Sequence, residues 1–517
     1  MEYDYIIIGS GFGGSVSALR LSQKGYKVLV IEKGKWYKSK DFPKTNWNLR
    51  KWLWMPKLKF FGIMKVTIFK HVGIISGTGV GGGSLVYANT LPIPKSTFFK
   101  TGSWKDLNDW ETELKPHYKE ALRMLGAVKN PKLFAGDEGL KKVSQEMEIE
   151  DKFETTNVAV YFGEENVTKK DPYFEGKGPD RTGCNFCGAC MTGCRNNSKN
   201  TLDKNYLYLA QQLGAIILAE NEVIDVKPLE SKNGYKVHLK SSTKFFKKRK
   251  TITTKGVIFS GGVLGTIKLL LKLKEKSLPN ISHKLGEEIR TNNETLVSVS
   301  SLEKDKNFSK GVAIGSILNT DDNSHLEICR YGEGSSAWKL VHFPYVTGNN
   351  FIVRILKIFG KIITSPIKYF RIYVLNHWSK KTVVLLFMQT LDSTLKFKRN
   401  RFGGMNSSMS SGKKPSPFIP ESKKLVDSYN KAINGVSTSF AIETLAGIPS
   451  TAHILGGAVM GETRNEGVID KNNQVFGYDN MMIIDGSMIS ANPGVNPSLS
   501  ITAIAEKAMS TIPSKNG

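Results

Sequence analysis

Cysteine is scarce in this 517-residue chain: five in all, four of them (Cys184, Cys187, Cys190 and Cys194) crowded within eleven residues and only Cys329 elsewhere. Such crowding excludes the spread disulfide framework of a small secreted domain. No run of about eighteen apolar residues is free of charge, which excludes a spanning helix. No secretory leader is expected either, because Met1 to Asp4 leads straight into the apolar run Tyr5 to Ile8. The chain is therefore expected to stay in the cytoplasm. Acid is in short supply: 46 Asp and Glu face 73 Lys and Arg, leaving a formal +27. An excess of that size asks for a polyanion or an anionic surface, although 60 of the bases are Lys, as a compositional drift would give. Disorder is excluded by a hydrophobic fraction of 40%.

What is present begins at residue 5. The apolar strand runs into Gly9-Ser10-Gly11-Phe12-Gly13-Gly14, then a helical stretch, then the strand Val28 to Ile31 ending at Glu32. Strand, glycine turn, helix and a following acid form the dinucleotide fingerprint. Gly9 permits the tight turn, Gly11 admits a pyrophosphate to the helix N-terminus, Gly14 allows helix and strand to pack closely, and Glu32 suits ribose hydroxyls. Further along, Gly77 to Asn89 holds five glycines in seven positions, open to a flat ligand. A later strand, Gly256 to Ser260, ends in Gly261-Gly262-Val263-Leu264-Gly265-Thr266, and Met481 to Ile484 ends in Asp485-Gly486. This acid suits a ribityl or phosphate-side hydroxyl.

These segments, with His453-Ile454-Leu455-Gly456-Gly457 and Asn480 to Ile501, resemble in order the segments of the glucose-methanol-choline (GMC) flavin oxidoreductases. They are most similar to the cholesterol oxidase branch, through His-x-x-Gly-Gly, Asp-Gly-Ser and Gly-Val-Asn-Pro. The resemblance spans the chain and implies FAD, with Glu32 on the adenosine ribose, Gly83 and Gly262 at the cofactor, Val223 at the adenine edge and Asp485 on the ribityl side. It also implies that His453 is the base or donor at the alcohol hydroxyl and Asn496 its hydrogen-bonding amide. Sterol oxidases move a double bond with a glutamate of the substrate domain. Glu443 reads as a surface ion-pair residue and Gln389 as the end of an apolar strand, so that glutamate is left unassigned.

The expected fold class is α/β: a doubly wound, Rossmann-like FAD domain (1–95, 200–274, 451–517) interleaved with a sheet-based substrate or cap domain (96–199, 275–450). Lys396 to Pro420, rich in Gly, Ser, Lys and Pro, reads as loop or lid. The cysteine spacing is that of a bacterial iron-sulfur run, with Arg195 where a proline is usual. An iron-sulfur cluster, zinc and an inert thiol loop are its three readings.

The basic excess concentrates in two stretches. Between Glu333 and Asp392 there is no acid, while Arg354, Lys357, Lys361, Lys368 and Arg371 recur at helical spacing among bulky apolar residues, with Pro366 as a break. Residues 51–70 repeat the mixture, and Lys244 to Lys250 reads as a hairpin tip. A basic face opposite an apolar one suits an anionic membrane surface, giving a cytoplasmic protein peripheral on the inner face of the membrane. Nucleic acid is excluded as a partner by the interleaved aliphatics. The leading function is oxidation of a hydrophobic, sterol-like or long-chain alcohol, with oxygen or a membrane electron carrier as acceptor. The alternatives are a sugar or small-alcohol dehydrogenase exporting electrons through the cluster, and a non-catalytic membrane-associated flavoprotein.

Overall fold

Apolar runs without alternation build the inner strands of a mainly parallel sheet, as expected where both faces are covered. The computed structural model describes residues 1–230, 233–348, 350–374 and 377–515. In it Ile216–Leu218, Val28–Ile31, Tyr3–Ile8, the end of Arg249–Phe259 and Met481–Ile483 run parallel. Ile6, Ile7, Val30, Val257 and Ile258 are fully buried there, in one core with helices Phe12–Gln23, Trp110–Met124, Tyr206–Gln212 and Ser498–Ser510. Strands Asn221–Pro228 and Tyr235–Ser241 extend the sheet antiparallel, and residues 245–246 between Tyr235–Ser241 and Arg249–Phe259 form an exposed tip.

The second sheet is antiparallel throughout, in the order Phe153–Thr155, Ile314–Asn319, Ser324–Cys329, Thr382–Gln389, Thr295–Ser301, Gly435–Phe440, His342–Pro344. Its period-two alternation divides the side chains between two environments. Val383, Leu385 and Phe387 pack with residues of helices Ala135–Glu146 and Pro420–Ala432. Val384, Leu386 and Met388 point the other way, with Ile314 and Cys329. That second face closes over the cavity between the sheets. The architecture is the α/β fold that the sequence implies.

Two local expectations change. The stretch expected as a loop or lid, Lys396 to Pro420, overlaps the hairpin Thr394–Arg399 and Met405–Ser411. Leu395 and Phe397 alternate into the core there, and Phe397 stacks on Phe69 with ring centroids 4.7 Å apart, so burial overrides the glycine and serine content. The basic stretch after Glu333 forms helices Phe351–Thr364 and Pro366–Val374, broken at Ser365, where Pro366 opens the second helix. Among the described residues no helix is long and apolar enough to cross a membrane.

Candidate active site

One cavity of about 600 Å³ lies between the two sheets, and seven of the eight residues named for the cofactor line it: Gly9, Gly11, Glu32, Gly83, Val223, Gly262 and Asp485. Gly14 lies outside the lining for a physical reason. A Cβ there would stand 2.2 Å from the Gly9 carbonyl oxygen, so this glycine serves the contact between helix and strand. Gly9 has φ +108°, in the left-handed region, and a Cβ on it would meet the Ser260 carbonyl oxygen at 2.2 Å. By contrast, a Cβ on Gly11 or Gly83 would meet no protein atom closer than 3.8 Å, and one on Gly262 or Gly265 would meet none within 4 Å. These positions leave bare backbone toward the cavity.

The second glycine run behaves differently from the open shelf expected. Cβ atoms on Gly77, Gly79 and Gly82 would collide with the chain itself, the last at 2.7 Å from the Gly11 Cα. Gly82 is pressed against the first glycine loop, Gly77 against its own run and Gly79 against Leu85 and Tyr37, and Gly83 is the cavity-lining position of the run where a Cβ would find room. Glu32 joins the loops: its Oε2 accepts from the Ser10 hydroxyl (2.8 Å), whose Oγ accepts from Gly81 N–H (3.1 Å), and its Oε1 accepts from Gly34 N–H (2.8 Å). Asp485 is fixed likewise, accepting from Ser487 N–H (2.8 Å) and from the Thr266 hydroxyl (2.6 Å). Burial raises its carboxyl pKa against the opposing pull of those bonds.

At the other end, His453 and Asn496 both line the cavity, and the Asn496 Nδ2 stands 3.4 Å from the His453 Nε2. The His453 Nδ1 lies 2.9 Å from the Glu294 Oε2, and Thr451 bonds the other oxygen of that carboxylate and accepts from His453 N–H (2.8 Å). With Nδ1–H donated to Glu294, Nε2 is left as the basic nitrogen facing Asn496. Burial alone would lower the imidazole pKa. The charge and hydrogen bond of Glu294 outweigh it and hold the group above its ordinary 6.5. Two backbone bonds between Arg290 and Leu455 (2.8 and 2.9 Å) bring these distant segments together.

Glu294 was missed in the sequence, as was Glu327. The latter is fully buried on Ser324–Cys329, and its Oε2 accepts from Asn496 Nδ2 (3.3 Å). Its Oε1 lies 3.7 Å from the equally buried His325 Nε2, and neither atom has a hydrogen-bond partner. A signal was available: in Ser-His-Leu-Glu-Ile-Cys, alternation puts His325, Glu327 and Cys329 on one face. Glu443, expected on the surface, is 1% exposed and accepts from Ser450 N–H (3.1 Å). Burial pushes its carboxyl up to about 8. Gln389 accepts from the Asn293 amide (2.9 Å) and is absent from the cavity lining.

The GMC oxidoreductase family models match residues 3–286 and 415–505. A cholesterol oxidase of Acinetobacter baumannii is 45% identical over 100% of this chain and 95% of its own. The chain belongs to the GMC oxidoreductase family. A cholesterol oxidase of Mycobacterium tuberculosis is 41% identical to this GMC oxidoreductase over 99% of the chain and 92% of its own. A long-chain-alcohol oxidase of Arabidopsis thaliana is 25% identical, over 97% and 66%. The pyridoxine 4-oxidase structure shares the fold, with TM-score 0.62, 13% identity and 98% of each chain covered. As a GMC oxidoreductase the protein is an FAD-dependent enzyme acting on CH–OH donors.

The residues present fit that cofactor. Bare glycine backbone at Gly11, Gly83, Gly262 and Gly265 faces the cavity, with room where each Cβ would stand, and Lys65 lies on the same wall. The cysteine run does not fit a metal or cluster. Among the described residues no three His, Cys, Asp or Glu side chains are grouped to hold a metal ion. Cys184 sits in an apolar cluster with Phe186 and Val312, Cys194 accepts from Ser198 and Lys199 N–H (3.3 and 3.4 Å), and Cys187 is exposed. Burial raises the Cys190 thiol to about 12. In this GMC oxidoreductase the run is a folded loop whose thiols pack and accept backbone hydrogen bonds.

Proposed function

We propose that this enzyme oxidises a hydroxyl of a hydrophobic alcohol, sterol-like or long-chain, to the carbonyl. The observation that carries the reading is that His453 and Asn496 line one cavity together with bare glycine backbone and the apolar side chains of Leu296, Ile314, Val384, Leu386 and Phe440. The cholesterol oxidase and long-chain-alcohol oxidase relatives support the same substrate class. Bound FAD supplies a hydride acceptor. The chain's own residues handle the hydroxyl: the His453 Nε2 takes its proton, Glu294 orients the ring and stabilises the imidazolium, and Asn496 fixes the oxygen. Glu327, buried beside Asn496 and itself outside the cavity lining, is the carboxylate assigned the double-bond shift of a sterol product, taking a proton from one carbon and returning it to another. Oxygen is the proposed acceptor, yielding peroxide.

The test is anaerobic bleaching of the purified flavoprotein by a sterol, a long-chain alcohol and a sugar, with the product then analysed. The hydrophobic alcohols are expected to bleach the flavin and the sugar to leave it oxidised; bleaching by the sugar alone would overturn the substrate class. Glu327→Gln should keep bleaching with the sterol but leave the ketone unconjugated, and a conjugated product would remove Glu327 from that role.

A further inference from the structure

The helices Phe351–Thr364 and Pro366–Val374 turn the expected arrangement inside out. Their bulky apolar side chains face solvent, with Ile363 75%, Ile367 73% and Ile352 69% exposed, and Leu356, Phe359 and Phe370 more than half exposed. Most of the cations turn back onto the protein as donors to backbone carbonyls. Arg354, itself buried, donates to Gly348 and Leu445 (both 2.8 Å), Lys357 to Thr347 (2.8 Å), Lys361 to Tyr345 (2.8 Å) and Arg371 to Leu302 (3.0 Å). Lys357, Lys361 and Arg371 stay exposed while making these bonds, and Lys368 is exposed as well.

An apolar face of this size on a water-facing helix pair marks a docking site. Three observations select its occupant. The helices have 14 and 9 residues, about 21 and 14 Å at 1.5 Å per residue, too short to cross a bilayer and suited to lying in its plane. No carboxylate occurs from residue 334 to 391, so nothing on this segment repels phosphate headgroups. On the inner side, Tyr369 and Ile372 share a cluster with Phe440 and Met64, which line the cavity. The exposed face and the proposed alcohol site are thus joined by one apolar layer.

We propose that this helix pair docks on the surface of a lipid bilayer by inserting its apolar side chains, whatever the headgroup charge. The cations that suggest an anionic surface in the sequence are engaged with the protein's own carbonyls, so binding is carried by burial of apolar area. The inference rests on the hydrophobic-alcohol reading for its purpose, though not for its test.

The test is flotation of the FAD-loaded enzyme with substrate-free vesicles of phosphatidylcholine, alone or mixed with phosphatidylglycerol, beside the combined variant Leu356→Ser, Ile363→Ser, Phe370→Ser. These side chains are exposed, and the variant's melting temperature and its flavin bleaching by detergent-dispersed alcohol check that it is folded. The wild type is expected to float with both vesicles, and the variant to lose binding roughly tenfold or more. No flotation, flotation only with phosphatidylglycerol that high salt abolishes, or binding unchanged in the variant would each overturn the proposal. So would a wild-type dimer that the variant dissolves without any vesicle binding, since the face would then belong to a second copy. Vesicle binding without bleaching by hydrophobic alcohols would overturn the substrate reading and leave the docking intact.

Discussion

The two ends of the cavity are built by different means. At the cofactor end the wall is backbone: Gly11, Gly83, Gly262 and Gly265 present peptide groups, and Glu32 and Asp485 are fixed by neighbouring N–H and hydroxyl groups. At the end proposed for the alcohol the wall is side chain: His453, Glu294 and Asn496 line the cavity and Glu327 stands behind Asn496, the four coming from separate stretches of chain. A backbone wall tolerates no added atoms, whereas a side-chain wall depends on which protons its members hold. The first is therefore broken by bulk and the second by charge.

Bulk gives the largest effect, and it separates two kinds of glycine. In Gly14→Ala the new methyl stands 2.2 Å from the Gly9 carbonyl oxygen, and the protein should lose about 1–3 kcal/mol of stability along with its FAD. In Gly83→Ala the new methyl meets nothing closer than 3.8 Å, so the apoprotein's melting temperature should hold while FAD retention falls. Equal melting temperatures for the two apoproteins would dissolve the distinction between packing glycines and cradle glycines. Charge gives the smaller effect, a displacement along the pH axis. His453 must be neutral to accept a proton, and Glu294 raises its pKa, so kcat/KM should fall as pH drops through a value above 6.5. Glu294→Gln should move that limb to lower pH, in addition to any loss of rate from a less firmly held ring. A limb left in place would deny Glu294 its positioning role.

The same contrast explains what could be read from the sequence. Gly9, Gly11, Gly14 and Glu32 lie in one strand, turn, helix and strand unit, where local spacing fixes their geometry. Glu294 reaches His453 only because Arg290 pairs with Leu455, and Glu327 lies opposite Leu386 only through the register of the second sheet. Neither pairing has a local sequence mark. The cysteine run shows the converse: spacing that suits a cluster is not enough where Phe186, Gly188 and Gly193 adopt positive φ and the thiols serve as acceptors and core. In Phe351–Thr364 the amphipathic pattern is correct, but its outward face is set by carbonyls of the segment just before it, Tyr345 to Gly348, and of the helix Ala441–Ala446.

The central claim is that His453 handles the alcohol's proton at the end of a cavity otherwise built to hold FAD. Its most direct test is the single-turnover rate of flavin reduction by a hydrophobic alcohol in His453→Ala, with FAD content checked from the oxidised spectrum. The account predicts full FAD occupancy and a rate lower by about 10²–10⁴-fold. An FAD-loaded variant reduced at the wild-type rate would contradict it.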